Sequence, residues 1–152
     1  MQVIRALQDA DVESVIQMDK TCFPDPWTKE MWKGELSRSD ARGLVVEQDG
    51  QIVGFALTTV LFEDAELPKI AVQPTCRGLG LGKILLCALE KTAKDCGAER
   101  MFLEVRAGNI PARKLYEGNG YETLRVYLLA HRVFCRQEQA FACYLLCKHH
   151  FF

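Results

Sequence analysis

Arg77-Gly78-Leu79-Gly80-Leu81-Gly82-Lys83 sets glycines at alternate positions just ahead of an apolar segment in which Ile84, Leu85, Ala88, Leu89 and Thr92 repeat at helical spacing. Such glycines let a backbone come close to a ligand, and the free N–H groups and positive dipole end of the following helix favour a phosphate. A phosphorylated cofactor is the natural ligand. The dinucleotide fingerprint G-x-G-x-x-G fails, because counted from Gly78 its last position is Lys83 and the loop follows several strands rather than the first. The nucleoside-triphosphate loop fails as well: it requires glycine where Arg77 stands and serine or threonine where Ile84 stands, so its magnesium ligand is missing. Glycine spacing alone also fits a flexible turn.

A second segment decides how the first is read. Ile70-Ala71-Val72 and the glycine loop, followed by Asn109-Ile110-Pro111-Ala112-Arg113-Lys114-Leu115-Tyr116-Glu117-Gly118-Asn119-Gly120-Tyr121, resemble the GNAT acetyltransferases over nearly the whole chain. The resemblance implies that the loop wraps the pyrophosphate of acetyl-coenzyme A (acetyl-CoA) and that the preceding strand pairs with the pantetheine arm. By it Ile70, Ala71, Val72, Arg77, Gly78, Leu79, Gly80, Leu81, Gly82, Lys83 and Asn109 line the cosubstrate site. Phe23-Pro24-Asp25-Pro26-Trp27, Leu103-Glu104-Val105-Arg106-Ala107-Gly108-Asn109 and Leu115-Tyr116-Glu117 are similar to the RimI-type ribosomal-protein-alanine N-acetyltransferases. That branch acetylates the N-terminal α-amine of a small-subunit ribosomal protein, with a glutamate as proton acceptor and a tyrosine as proton donor. The matching positions are Glu104 and Tyr116. The chain departs from the branch at Tyr127-Leu128-Leu129-Ala130-His131, where an arginine and paired tyrosines are usual and the peptide is expected to touch, and at Pro68 and Lys69 on the cofactor strand.

Transfer from a thioester needs a neutral amine, a partner for the developing oxyanion and a proton for the departing thiolate, so a base and an acid must flank the reacting carbon. Glu104 and Tyr116 are of the right types. On a largely buried strand the Glu104 carboxyl should rise above about 4.3 by desolvation, which improves it as a base. The residues alone also allow a Glu104 to Arg106 ion pair, a core tyrosine at Tyr116 and a helix cap at Asn109. A backbone N–H near Val72, freed by a splayed strand, is the candidate oxyanion donor. Trp27 is the candidate border of an acceptor groove, although aromatics spaced as Trp27 and Trp32 are also common in cores. Arg125, His131, Arg132 and Arg136 read either as a docking patch or as a solvated basic face.

The elements that must hold these residues alternate between helical and extended patterns. Gln2 to Leu7 reads as a strand and Val12, Val15, Ile16 and Asp19 as a helix face; Asp25-Pro26 signals a second helix near Trp27 to Leu36. Asp49-Gly50 between apolar runs predicts a tight hairpin from Leu44 to Val60. Ala65 to Val72 reads as a strand in which Pro68 forces an edge, a bulge or a splay. Then come the helix Lys83 to Cys96, a strand Met101 to Val105, a short helix from Asn109 to the glycines after Glu117, and strands Tyr121 to Leu129 and Phe141 to Cys147. The expected class is α/β: a mixed, mostly antiparallel sheet of about six or seven strands with a splayed parallel pair, flanked by about four helices.

At 152 residues, with 49% hydrophobic and 26% charged side chains, the chain fits one domain over 1–152 and does not fit a disordered segment. A net charge of −1 gives no global attraction to nucleic acid or an anionic membrane, so neither is an expected partner. Ile52 to Phe62 falls far short of the roughly 18 residues of a bilayer span. Seven cysteines without framework spacing suit free thiols in a cytoplasmic protein, and none has an activating partner in the sequence. Cys135, Cys143, Cys147 and His149 form the one metal-like cluster, but on a strand residues four apart lie about 13 Å apart, so no metal is expected. The reading is an acetyl-CoA-dependent N-acetyltransferase working on a protein or peptide by direct attack, as a monomer or weak dimer. A small-amine or lysine acetyltransferase and a non-catalytic coenzyme A module remain the alternatives.

Overall fold

The computed structural model describes residues 1–132 and 138–149. Strands β1 (Gln2–Ala6), β2 (Ala41–Gln48), β3 (Gln51–Leu61), β4 (Asp64–Val72), β5 (Arg100–Arg106), β6 (Glu122–Arg132) and β7 (Glu138–His149) form one sheet in the order β1-β2-β3-β4-β5-β7-β6. Helices α1 (Val12–Cys22) and α2 (Lys29–Leu36) cover one face; α3 (Leu81–Asp95) and α4 (Ile110–Gly118) cover the other. No helix among the described residues is long and apolar enough to cross a membrane.

Each boundary has a local cause. Gln48 pairs with Gln51 across a turn in which Asp49 and Gly50 both have positive φ, the backbone that matches the twist of a hairpin. Helix α2 starts later than Asp25-Pro26 suggests, because Thr28 is its cap and accepts from the Met31 amide at 3.2 Å, leaving 23–27 as a loop. Helix α3 starts earlier, at Leu81, because its cap is the left-handed Gly80 inside the glycine loop. The α3 face made by Leu81, Leu85, Leu86, Leu89 and Ala93 is buried against the sheet, and each leucine so removed from water contributes about 1.5–3 kcal/mol.

The feature that makes a site is the parting of β4 from β5. Among the described residues all neighbouring strands are antiparallel except this pair, which is parallel and runs only from Asp64↔Arg100 to Glu66↔Phe102. Beyond Glu66, Pro68 can donate nothing to a ladder, and the pairing with β3 slips from Thr59↔Glu66 to Leu57↔Lys69, a bulge that puts an extra residue into β4. The extra residue reverses the alternation of side chains. Ala65 and Leu67 pack on the α3 side, and after the bulge Ile70 and Val72 take that side, while Lys69 and Ala71 turn to α1.

Candidate active site

The gap between β4 and β5 opens into a groove of about 880 Å³. Ile70, Ala71, Val72, Arg77, Gly78, Gly80, Leu81, Gly82, Lys83, Glu104, Asn109, Tyr116 and Trp27 all line it. Leu79 does not: set between two glycines with φ near +81°, its side chain turns outward and is 68% exposed. Cys135 and Arg136 lie outside the described residues.

At one end the glycine loop feeds α3. The first intrahelical bond runs from the Ile84 amide to the Gly80 carbonyl at 3.2 Å, so the Leu81, Gly82 and Lys83 amides have no partner within the helix and stand at its positive end. The Arg77 Nε donates to the Val72 carbonyl at 3.0 Å, tying the loop to the end of β4. A Cβ on Gly80 would meet nothing within 4 Å, so only its φ of +81° resists substitution. Gly80→Ala should therefore lower stability by about 1 kcal/mol in a denaturant melt, and no loss would mean that the loop can re-form around that residue.

In the middle of the groove two groups approach from opposite faces. Glu104 alternates with Leu103 and Val105, which are buried on the α3 side, so its carboxylate points to the α1 side. Tyr116 comes from α4 on the other face, packed edge-on to Tyr121 at 5.7 Å. Burial pushes the Tyr116 phenol above its ordinary value, so it stays protonated. Glu104, in contrast, is exposed to the groove, so the burial expected for it from the apolar pattern of β5 is absent: the strand next to it has turned away. The ion pair allowed for Arg106 is formed across the groove with Asp25, at 3.1 Å, which clips β5 to the loop 23–27. Asn109 does cap α4, accepting from the Ala112 amide at 3.3 Å while also lining the groove.

Tyr127 joins the site from two strands away. Its row in the sheet is Arg106, Cys143, Tyr127, and the small Cys143 between them lets the phenol hydroxyl donate to Glu104. Desolvation, then this bond and the charge of Glu104, push Tyr127 up to about 12. The departure of this segment from the RimI-type pattern was the available signal. Cys143 lines the groove beside Glu104, but burial and then the Glu104 charge push its thiol up, which disfavours a thiolate nucleophile. On β4, the Gln73 amide donates to the Val53 carbonyl at 2.8 Å, so alternation turns the amides of Ile70 and Val72 toward the side where β5 has departed.

A sheet opened at a parallel pair, with helix-start amides free of intrahelical partners at one end of the opening and a carboxylate and a phenol lining it, has the parts that acyl transfer requires. Residues 12–121 match the acetyltransferase (GNAT) family. A ribosomal protein bS18-alanine N-acetyltransferase of Haemophilus influenzae is 31% identical over 126 residues, 83% of this chain and 85% of the relative. Among solved structures, the ribosomal-protein-S18-alanine N-acetyltransferase from Escherichia coli superposes with a TM-score of 0.85 at 24% identity, covering 98% of this chain and 94% of the other. Arabidopsis thaliana NAA60 in complex with acetyl-CoA gives 0.84 at 18% identity, covering 98% and 99%. The chain belongs to the GNAT acetyltransferase family, and it is an N-acetyltransferase.

Proposed function

We propose that the protein transfers the acetyl group of acetyl-CoA to the N-terminal α-amine of a protein, with a small-subunit ribosomal protein as the acceptor class, by direct attack of the amine on the thioester. The observation that carries this reading is the placement of Glu104 and Tyr116 on opposite faces of the β4–β5 opening. The glycine-loop amides, with Arg77 and Lys83 beside them, suit a pyrophosphate, and the exposed edge of β4 at Ile70 and Val72 suits the amide groups of a pantetheine arm. Ala71 keeps the wall there low. Glu104 takes a proton from the incoming ammonium, directly or through water. The Ile70 amide, farther from the glycine loop, faces the carbonyl oxygen as charge grows on it, leaving the Val72 amide to the arm; as the C–S bond breaks Tyr116 gives its proton to the departing sulfur and regains one from the new amide nitrogen. The acceptor enters from the α1 side, past Trp27 and the Asp25–Arg106 pair.

Mass spectrometry of a panel of peptides incubated with protein and acetyl-CoA tests this. The panel includes the N-terminus of the small-subunit ribosomal protein bS18, the same peptide blocked at its α-amine, and a lysine peptide. One acetyl group on the free α-amine of the first peptide is expected. Acetylation of the lysine peptide instead would move the reaction to side-chain amines, and saturable coenzyme binding without product would reduce the protein to a binding module.

A further inference from the structure

The most completely buried charges of the α1 face take no part in the steps above. Lys69, which the bulge at Pro68 turns toward α1, is 7% exposed and places its Nζ 2.5 Å from Oδ1 of the fully buried Asp19. The other carboxylate oxygen of Asp19 accepts from the Trp27 amide at 3.0 Å and from the Trp32 Nε1 at 2.8 Å. The same ammonium lies 4.4 Å from the centre of the Phe23 ring and 4.9 Å from that of Trp27, within cation–π range of both. One carboxylate and two ring faces lie against the cation, and both rings belong to the loop that borders the groove on the Glu104 side.

We propose that Lys69 and Asp19 are a positioning pair for the acceptor: they hold the Phe23 and Trp27 rings as the fixed wall against which the first residue of the incoming chain is placed. Three observations converge on this. Among the described residues, the side-chain hydrogen bonds and ring contacts of the pair go to 23–27, to Trp32 behind it or to each other, and not to the glycine loop. The loop itself has no helix or strand to fix it, so its position depends on the ends it is tied to, through Trp27 at Asp19 and Asp25 at Arg106. Lys69 also directly precedes Ile70, so one stretch of β4 carries the donor on its edge and the acceptor wall on its face. Fixing the two from one strand keeps the amine and the thioester carbon in register, the kind of alignment on which a bimolecular transfer depends. The two charges cancel, so the wall orients the acceptor without adding a net field that would favour its ammonium form.

The inference rests on the α-amine reading, and its test separates the two. Steady-state kinetics with the accepted peptide and acetyl-CoA are compared for wild type, Lys69→Met, Lys69→Arg and the double variant Lys69→Met/Asp19→Asn, with acrylamide quenching of tryptophan emission measured alongside. The double variant removes both charges together, so it keeps a buried carboxylate from being stranded if the single change does not fold. Lys69→Met or the double variant is expected to raise KM for the peptide at least tenfold, leave KM for acetyl-CoA within twofold, and increase the quenching. Lys69→Arg keeps the charge and the ring contacts and should stay within about threefold of wild type for the peptide. An unchanged peptide KM, or equal changes in both KM values, overturns the positioning role. Wild type that acetylates no peptide overturns the acceptor reading, and the quenching of the variants then decides the wall by itself: no increase overturns it.

Discussion

Glutamine in place of Glu104 is expected to slow acetyl transfer at pH 7 by roughly 10²–10⁴-fold with acetyl-CoA binding unchanged, the range that removal of a placed general base produces. The substitution keeps the size of the side chain and leaves an amide oxygen to accept from Tyr127, so the wall around it need not move. What disappears is the charge that draws the proton from the ammonium. An N-terminal amine has an ordinary pKa near 8, so below that pH the enzyme must supply a base, and above it the amine supplies itself in neutral form. The loss in Glu104→Gln should therefore be largest at low pH and shrink as pH passes about 8, which single-turnover rates between pH 6 and 9.5 would read directly. A loss under tenfold at pH 7, or one that does not shrink, would take Glu104 out of proton transfer and leave it as a groove-lining side chain.

Glu104, the proposed base, is exposed to the groove, and that could not be seen along the chain. Met101, Leu103 and Val105 read as a buried strand and are buried, yet Glu104 faces an opening created by a different strand, where Pro68 and one extra residue part β4 from its neighbour. The proline announced an interruption; it did not announce that the alternation would reverse and carry Lys69 inward to Asp19. Strand order set a second limit. Tyr127 reaches Glu104 because β7 pairs between β5 and β6, an arrangement that no local pattern encodes. Where the physics is local, the residues were legible: Asp49-Gly50 makes the turn, the glycines precede α3, Asn109 caps α4, and the groove collects the proposed site residues except Leu79, whose place in the loop turns it outward. The second helix, expected near Trp27 to Leu36, ends as expected and begins two residues later, since Thr28 is a better cap than the proline signal before it.

Tyr116→Phe removes a single oxygen from a packed ring, and it should lower the rate roughly 10²-fold while leaving the fold intact. That is the low end of general-acid effects, because a thiol of ordinary pKa near 8.5 departs partly unaided. The pH dependence carries the sharper argument. An acid must be protonated to act, so a rate that depends on it falls as pH rises through its pKa; burial holds the Tyr116 phenol above its ordinary value of 10, and its limb lies beyond the range in which the amine titrates. With Glu104 taking the ammonium proton, wild-type rates should stay level from about pH 7 to pH 10, and the phenylalanine variant should follow the same level curve displaced downward. A wild-type rate that falls between pH 8.5 and 10, with the fall abolished in Tyr116→Phe, would mean that this phenol ionises early and that the sulfur takes its proton from an acid other than a buried, neutral tyrosine. Tyr127, the phenol bonded to Glu104, is pushed up to about 12, so it too would leave the level stretch undisturbed. A flat profile with less than a tenfold loss therefore points past both phenols to solvent as the proton source.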